Sequence, residues 1–95
     1  MYVYLLESIE TGWRYIGQTQ NLQERIKRHN SKQEKSTKRY APLKVLSYIQ
    51  VPDRKEALKL ERKIKGMKIR ARQYQYFIEN GFIFNENTGV PGSEK

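Results

Sequence analysis

The chain opens with a short apolar run, YVYLL at residues 2–6. A polar stretch, ESIETG, follows and ends in Gly12, and a second run, WRYIGQ, occupies residues 13–18. Both runs are rich in aromatic and β-branched residues, so a β-hairpin is expected. Pairing Tyr4 with Tyr15 sets Leu6 opposite Trp13 and Tyr2 opposite Gly17. Side chains alternate along a strand, so all six would share one face, with Gly17 leaving space beside Tyr2. Asn21-Leu22-Gln23-Glu24 has the form of a capping box and predicts a helix to about Asn30, with Leu22 and Ile26 as its apolar stripe. Residues 31–42, SKQEKSTKRYAP, are polar and non-periodic and predict a loop closed by Pro42. LKVLSYIQV at 43–51 reads as a strand ended by Pro52. Asp53 and Glu56 repeat the cap pattern and start a second helix that should reach Met67 or Ile69. Residues 71–80 form a third, stopped by Gly81 at the C′ position. The order β-β-α-β-α-α predicts a compact α+β domain over residues 1–82, with a three-stranded, mainly antiparallel sheet. Residues 83–95 are a tail whose end is expected to be disordered.

Composition narrows the chemistry. At 95 residues the chain is one domain, and it has no cysteine, which excludes disulfide scaffolds, thiolate zinc sites and thiol catalysis. No apolar run approaches the roughly 20 residues a bilayer crossing needs. No signal-peptide pattern opens the chain, so a cytoplasmic or nucleoid location and no membrane partner are expected. The net charge of +9 is unevenly spread. Residues 1–20 carry one basic and two acidic groups, residues 21–72 seventeen and five, and residues 73–95 one and three. A middle segment at +12 points to a polyanion, most simply nucleic acid. The competing readings are a soluble protein of high pI and a basic amphipathic membrane helix. The second fits less well, because the basic residues also run through segments with no apolar stripe.

Three groups of side chains are candidates for chemistry. With Ala57 as the zero direction and about 100° per residue, Ile64 falls at about −20°, Leu60 at about −60° and Glu61 at about +40°. Glu61 therefore lies inside the apolar stripe. A buried carboxylate is costly unless a basic residue, a hydrogen-bond network or a metal ion meets it. The alternative is a stripe-edge glutamate that reaches solvent. Arg25 and His29 stand one turn apart on one helix face. They can hold a phosphate and move a proton near neutral pH, or simply belong to a solvated basic face with Lys27 and Arg28. Tyr4 and Tyr15, by composition alone, read as packing residues of half-buried strands.

Taken together these residues resemble a known family. YVY, ten intervening residues and YIG are similar to the signature of the GIY-YIG nucleases, with Tyr2 and Val3 standing where Gly and Ile are usual. NLQERIKRHN resembles the family's first helix, matching its arginine to Arg25 and placing His29 where many members carry His or Tyr. EALKLERKIK resembles the later helix with the metal-binding glutamate, matching Glu61. The resemblance covers about residues 1–80 and is closest to the small stand-alone members. Asn80, Asn85 and Asn87 are candidates for a late site asparagine, and Asn85, after the FIF run, is preferred.

The resemblance implies divalent-metal-dependent endonucleolytic hydrolysis of nucleic-acid phosphodiesters, DNA by preference, with Mg²⁺ or Mn²⁺ and no small-molecule cofactor. Tyr4 is the candidate general base if neighbouring cations lower its pKa, with His29 as rival or relay. Tyr15 would orient the water or a phosphate oxygen, Arg25 would neutralise developing charge, and Glu61 would supply the one metal carboxylate. Lys32, Lys35, Lys38, Arg39, Lys44, Arg62 and Lys65 would bind backbone phosphates, giving structure-selective or weakly sequence-selective action. The alternative is a catalytically silent basic nucleic-acid-binding module of the same fold.

Overall fold

The computed structural model describes residues 1–85 and 90–91. The strands are β1 (Tyr2–Ser8), β2 (Arg14–Thr19), β3 (Leu43–Gln50), β4 (Phe82–Asn85) and β5 (Val90–Pro91). The helices are α1 (Leu22–Asn30), α2 (Arg54–Lys65) and α3 (Arg70–Asn80). The sheet runs β2-β1-β3-β4-β5, with every neighbouring pair antiparallel. The α+β class therefore holds, but the expected three-stranded sheet gains a fourth strand, β4, and a two-residue β5. The FIF run that leads out of α3 turns back beside β3, pairing Ile83 with Ser47.

Both helix starts form as the cap pattern requires. The Asn21 side chain accepts from Glu24 N–H at 3.0 Å and the Asp53 side chain from Glu56 N–H at 2.9 Å. Each cap satisfies an N–H that the helix cannot pair internally. Gly81 ends α3, but without a left-handed conformation. Its role is close approach: a Cβ there would run into the Tyr48 carbonyl oxygen.

β1 is central and buried on both faces. Val3 and Leu5 pack with Ile16, Ile49, Ala57, Ile64 and Phe77 under α2 and α3. Tyr4 and Leu6 pack with Leu22, Leu43, Val45 and Tyr48 on the α1 side. Each fully buried apolar side chain contributes about 1.5–3 kcal/mol. A register shift between Leu5 and Leu6 lets Val45 and Tyr48, three residues apart, share the α1 face.

The hairpin register differs from the expected one by two residues: Tyr4 stands opposite Gly17 and Leu6 opposite Tyr15. The turn sets it, with Ser8 N–H donating to the Trp13 carbonyl at 2.7 Å. A slip of two preserves the face, so Tyr4 and Tyr15 still project together. It also moves the open space from Tyr2 to Tyr4. A Cβ on Gly17 would stand 2.6 Å from Tyr4 Oη and 2.9 Å from Tyr15 Cε2. Gly17→Ala should therefore destabilise the fold by about 1–3 kcal/mol through overpacking. Thermal unfolding should show the loss, and an unchanged Tm would contradict this packing.

Candidate functional site

β2 and α1 together build the α1-side constellation. The hairpin alternation brings Tyr4 and Tyr15 to one face, ring centroids 6.5 Å apart. α1, started by its Asn21 cap, lays His29 over both, with ring centroids 5.8 Å from Tyr4 and 5.7 Å from Tyr15. Arg25, one turn earlier, sits beside the Tyr4 hydroxyl.

Tyr4 and His29 are almost sealed from solvent, at 0% and 1% exposure, so their polar atoms must find partners inside. Tyr4 Oη lies 3.0 Å from His29 Nε2, and His29 Nδ1 lies 2.7 Å from Thr37 Oγ1. The Thr37 hydroxyl donates to the Glu34 carbonyl at 3.5 Å. That carbonyl already accepts from Thr37 N–H at 3.2 Å and Lys38 N–H at 3.0 Å, so the strong contacts around the ring are those of Nε2 with Tyr4 and of Nδ1 with Thr37. A neutral imidazole donates through one nitrogen and accepts through the other, so one of the two hydroxyls donates to the ring and the other accepts from it.

The electrostatics set the charge of the ring. Burial lowers the His29 pKa from its ordinary 6.5; the Glu34 carboxylate pulls it up, while Arg25 and Arg28 push it further down. The ring is therefore neutral at pH 7. Burial likewise raises Tyr4 far above the ordinary phenol range, and the nearby Arg25 charge only partly opposes it. The expectation that neighbouring cations would lower the Tyr4 pKa is thus reversed, because desolvation outweighs Arg25. Tyr4 therefore keeps its proton, with its hydroxyl 3.0 Å from His29 Nε2.

Tyr15 is half-buried and continues into an aromatic column. Its ring lies 5.9 Å from Trp13, which stacks on Tyr40 at 3.8 Å and 10°. Trp13 and Tyr40 lie outside the motif, and no periodicity marks them as neighbours.

Glu61 is held elsewhere. α2 packs on the other face of the sheet, where β2 presents Ile16 and Gln18. Gln18 Nε2 donates to Glu61 Oε1 at 2.9 Å, and Lys65 Nζ donates to Oε2 at 2.6 Å. The carboxylate is thus met by a basic residue and an amide hydrogen bond, which answers the need set by its position on the stripe. Gln18 is the residue that sequence reasoning missed. Its signal was the alternation itself, which turns it away from Tyr15 and Gly17. Gln18 also lines, with Arg25, a cleft of about 240 Å³, and so connects the two faces. Its Oε1 is buried without a hydrogen-bond partner.

Among the described residues no three His, Cys, Asp or Glu side chains come together. The oxygen donor available to a cation is the Glu61 carboxylate, since Gln18 turns its Nε2–H toward it and keeps its own Oε1 buried. One carboxylate fits a hard divalent cation that keeps several waters and takes phosphate oxygens.

The expected backbone-contact residues divide. Lys32, Lys35, Lys38, Arg39 and Arg62 are exposed. Lys44 instead reaches Glu7 at 3.8 Å, and Lys65 is paired with Glu61, so both ammonium groups already have carboxylate partners. Asn80 donates to the Tyr76 carbonyl, a helix-end contact. The backbone of Asn85 lies in β4, and its side chain and Asn87 fall outside the described residues. No described helix is long and apolar enough to cross a membrane.

Comparison with known proteins supplies the context. The chain is 31% identical over 81 residues to the UPF0213 protein BH0048 of Halalkalibacterium halodurans, covering 84% of this chain and 85% of that protein. No solved structure matches significantly. The family model for the GIY-YIG catalytic domain matches residues 1–75, the stretch that contains Tyr4, Tyr15, Arg25, His29 and Glu61, and on this match the chain belongs to the GIY-YIG family.

Proposed function

We propose that the chain is a divalent-metal-dependent endonuclease that hydrolyses nucleic-acid phosphodiesters, DNA by preference. The observation that supports this most is the buried hydrogen-bonded series Tyr4–His29–Thr37, with Arg25 beside the Tyr4 hydroxyl. GIY-YIG domains are nuclease domains that act on nucleic acid and generally use divalent metals, and the +9 net charge suits that substrate.

Arg25 takes the attacked phosphate, offering charge and a planar donor fork where negative charge grows. Tyr15, half-exposed, orients the attacking water. As the water oxygen bonds to phosphorus, its proton is released to solvent, while Tyr4 and His29, closed off from water, hold Arg25 and Tyr15 in position. Thr37 positions His29 through its 2.7 Å contact with Nδ1. Glu61, oriented by Gln18 Nε2–H, would hold the metal, which when bound supplies positive charge to the phosphoryl oxygens. The departing oxygen takes its proton from solvent.

Cleavage of flapped, branched and linear DNA, assayed with Mg²⁺, Mn²⁺ or EDTA, tests the reading. Arg25→Ala should lower the single-turnover rate by about 10²–10³-fold, more than it weakens binding. Loss of binding alone would make Arg25 a backbone contact. Glu61→Gln keeps the size of the side chain and removes its charge, and it should abolish metal-dependent cleavage while leaving DNA binding intact. Binding without cleavage by wild type on every substrate and metal would favour the silent module.

The pH dependence has a fixed sign. His29 binds its proton less readily in the folded chain than in the unfolded one, so the unfolded chain takes up more protons as pH falls below 6.5. Stability and cleavage should both decline on that acid side, since imidazolium has no bare nitrogen to accept from a hydroxyl. His29→Gln should remove this acid limb from the thermal-unfolding profile. A profile unchanged by the substitution would assign the limb to another group.

A further inference from the structure

The cleft that Gln18 and Arg25 share extends beyond the Tyr4–His29 cluster. It lies where β2 runs into α1, and its far wall is the start of α2. Arg25 and Arg28 from α1 and Arg54 from α2 all line it, against the single carboxylate of Glu24. Three guanidiniums facing one concavity repel one another unless an anion lies between them. The guanidinium fork matches phosphate oxygens. Arg28 has a partial partner in Glu34 at 3.3 Å, and Arg54 has no ion pair among the described residues. A polynucleotide carries its phosphates in series, so a strand whose attacked phosphate lies at Arg25 brings the next phosphate toward Arg28 and Arg54.

We infer that this cleft is a second phosphate subsite. It holds the backbone phosphate next to the attacked one on the same nucleic-acid strand, with Arg28 and Arg54 as its dedicated contacts and Arg25 shared between the two. The inference rests on the nuclease reading for its substrate class, but its readout is binding and not cleavage.

The test uses the full chain with Glu61→Gln in every sample, in EDTA, and a fluorescent flapped oligonucleotide titrated at several KCl concentrations. Arg54→Ala should make the slope of log K against log salt shallower by about 0.9, one phosphate contact. Affinity at low salt should fall on the order of tenfold, the size of one charge-assisted contact. Lys59→Ala removes the same charge from α2 outside the cleft and should change the slope less. A single methylphosphonate beside the scissile position should weaken the parent chain and add nothing to Arg54→Ala. Equal slopes for Arg54→Ala and Lys59→Ala, or additive losses with the methylphosphonate, would overturn the subsite. If wild type cleaves no substrate but the Arg54 effects appear, the subsite stands and the nuclease reading falls. If wild type cleaves and those effects are missing, only the subsite falls.

Discussion

A phenol and an imidazole, both closed off from water, hold each other in place on the α1 face of the sheet, and the site depends on that contact. Burying either group without a partner costs several kcal/mol. Burying both is tolerable only because the series is complete from Tyr4 through His29 and Thr37 to the Glu34 carbonyl. A buried network that is fully satisfied is rigid. Burial keeps the imidazole neutral and the phenol protonated beside Arg25. Gly17 is the steric condition for all of this, since any side chain there would occupy the space of the Tyr4 ring.

Strand alternation divides the rest of the site. Tyr15 and Gly17 face α1 and its two basic groups, whereas Ile16 and Gln18 face α2 and its carboxylate. The motif residues therefore form two clusters on opposite sides of β2. Gln18 is the element common to both, bonded to Glu61 and lining the cleft with Arg25.

The parts legible in the sequence were those set by local chemistry or by strict period. The Asn21 and Asp53 caps are local hydrogen bonds, and both formed. Glu61 on the apolar stripe followed from helical geometry. The shared face of Tyr4 and Tyr15 survived a two-residue error in register because the strand period is two. The register itself was not legible, since it is fixed by how the turn after Ser8 closes. Thr37 was hidden in a polar loop with no periodicity, and only the folded chain brings it to His29. The sign of the Tyr4 pKa shift was missed for a related reason. Charge can be read from a sequence, whereas burial on both faces of a central strand depends on packing, and burial was the larger effect.

The chain has a single histidine, so its imidazole nitrogens can be read directly by ¹⁵N NMR. At pH 7 the account predicts a neutral ring with one nitrogen protonated and the other bare, and that neutral form should persist as the pH is lowered below 6.5. An imidazolium already formed at pH 7, or a ring that titrates above 6.5, would contradict the buried Tyr4–His29–Thr37 series on which the site depends.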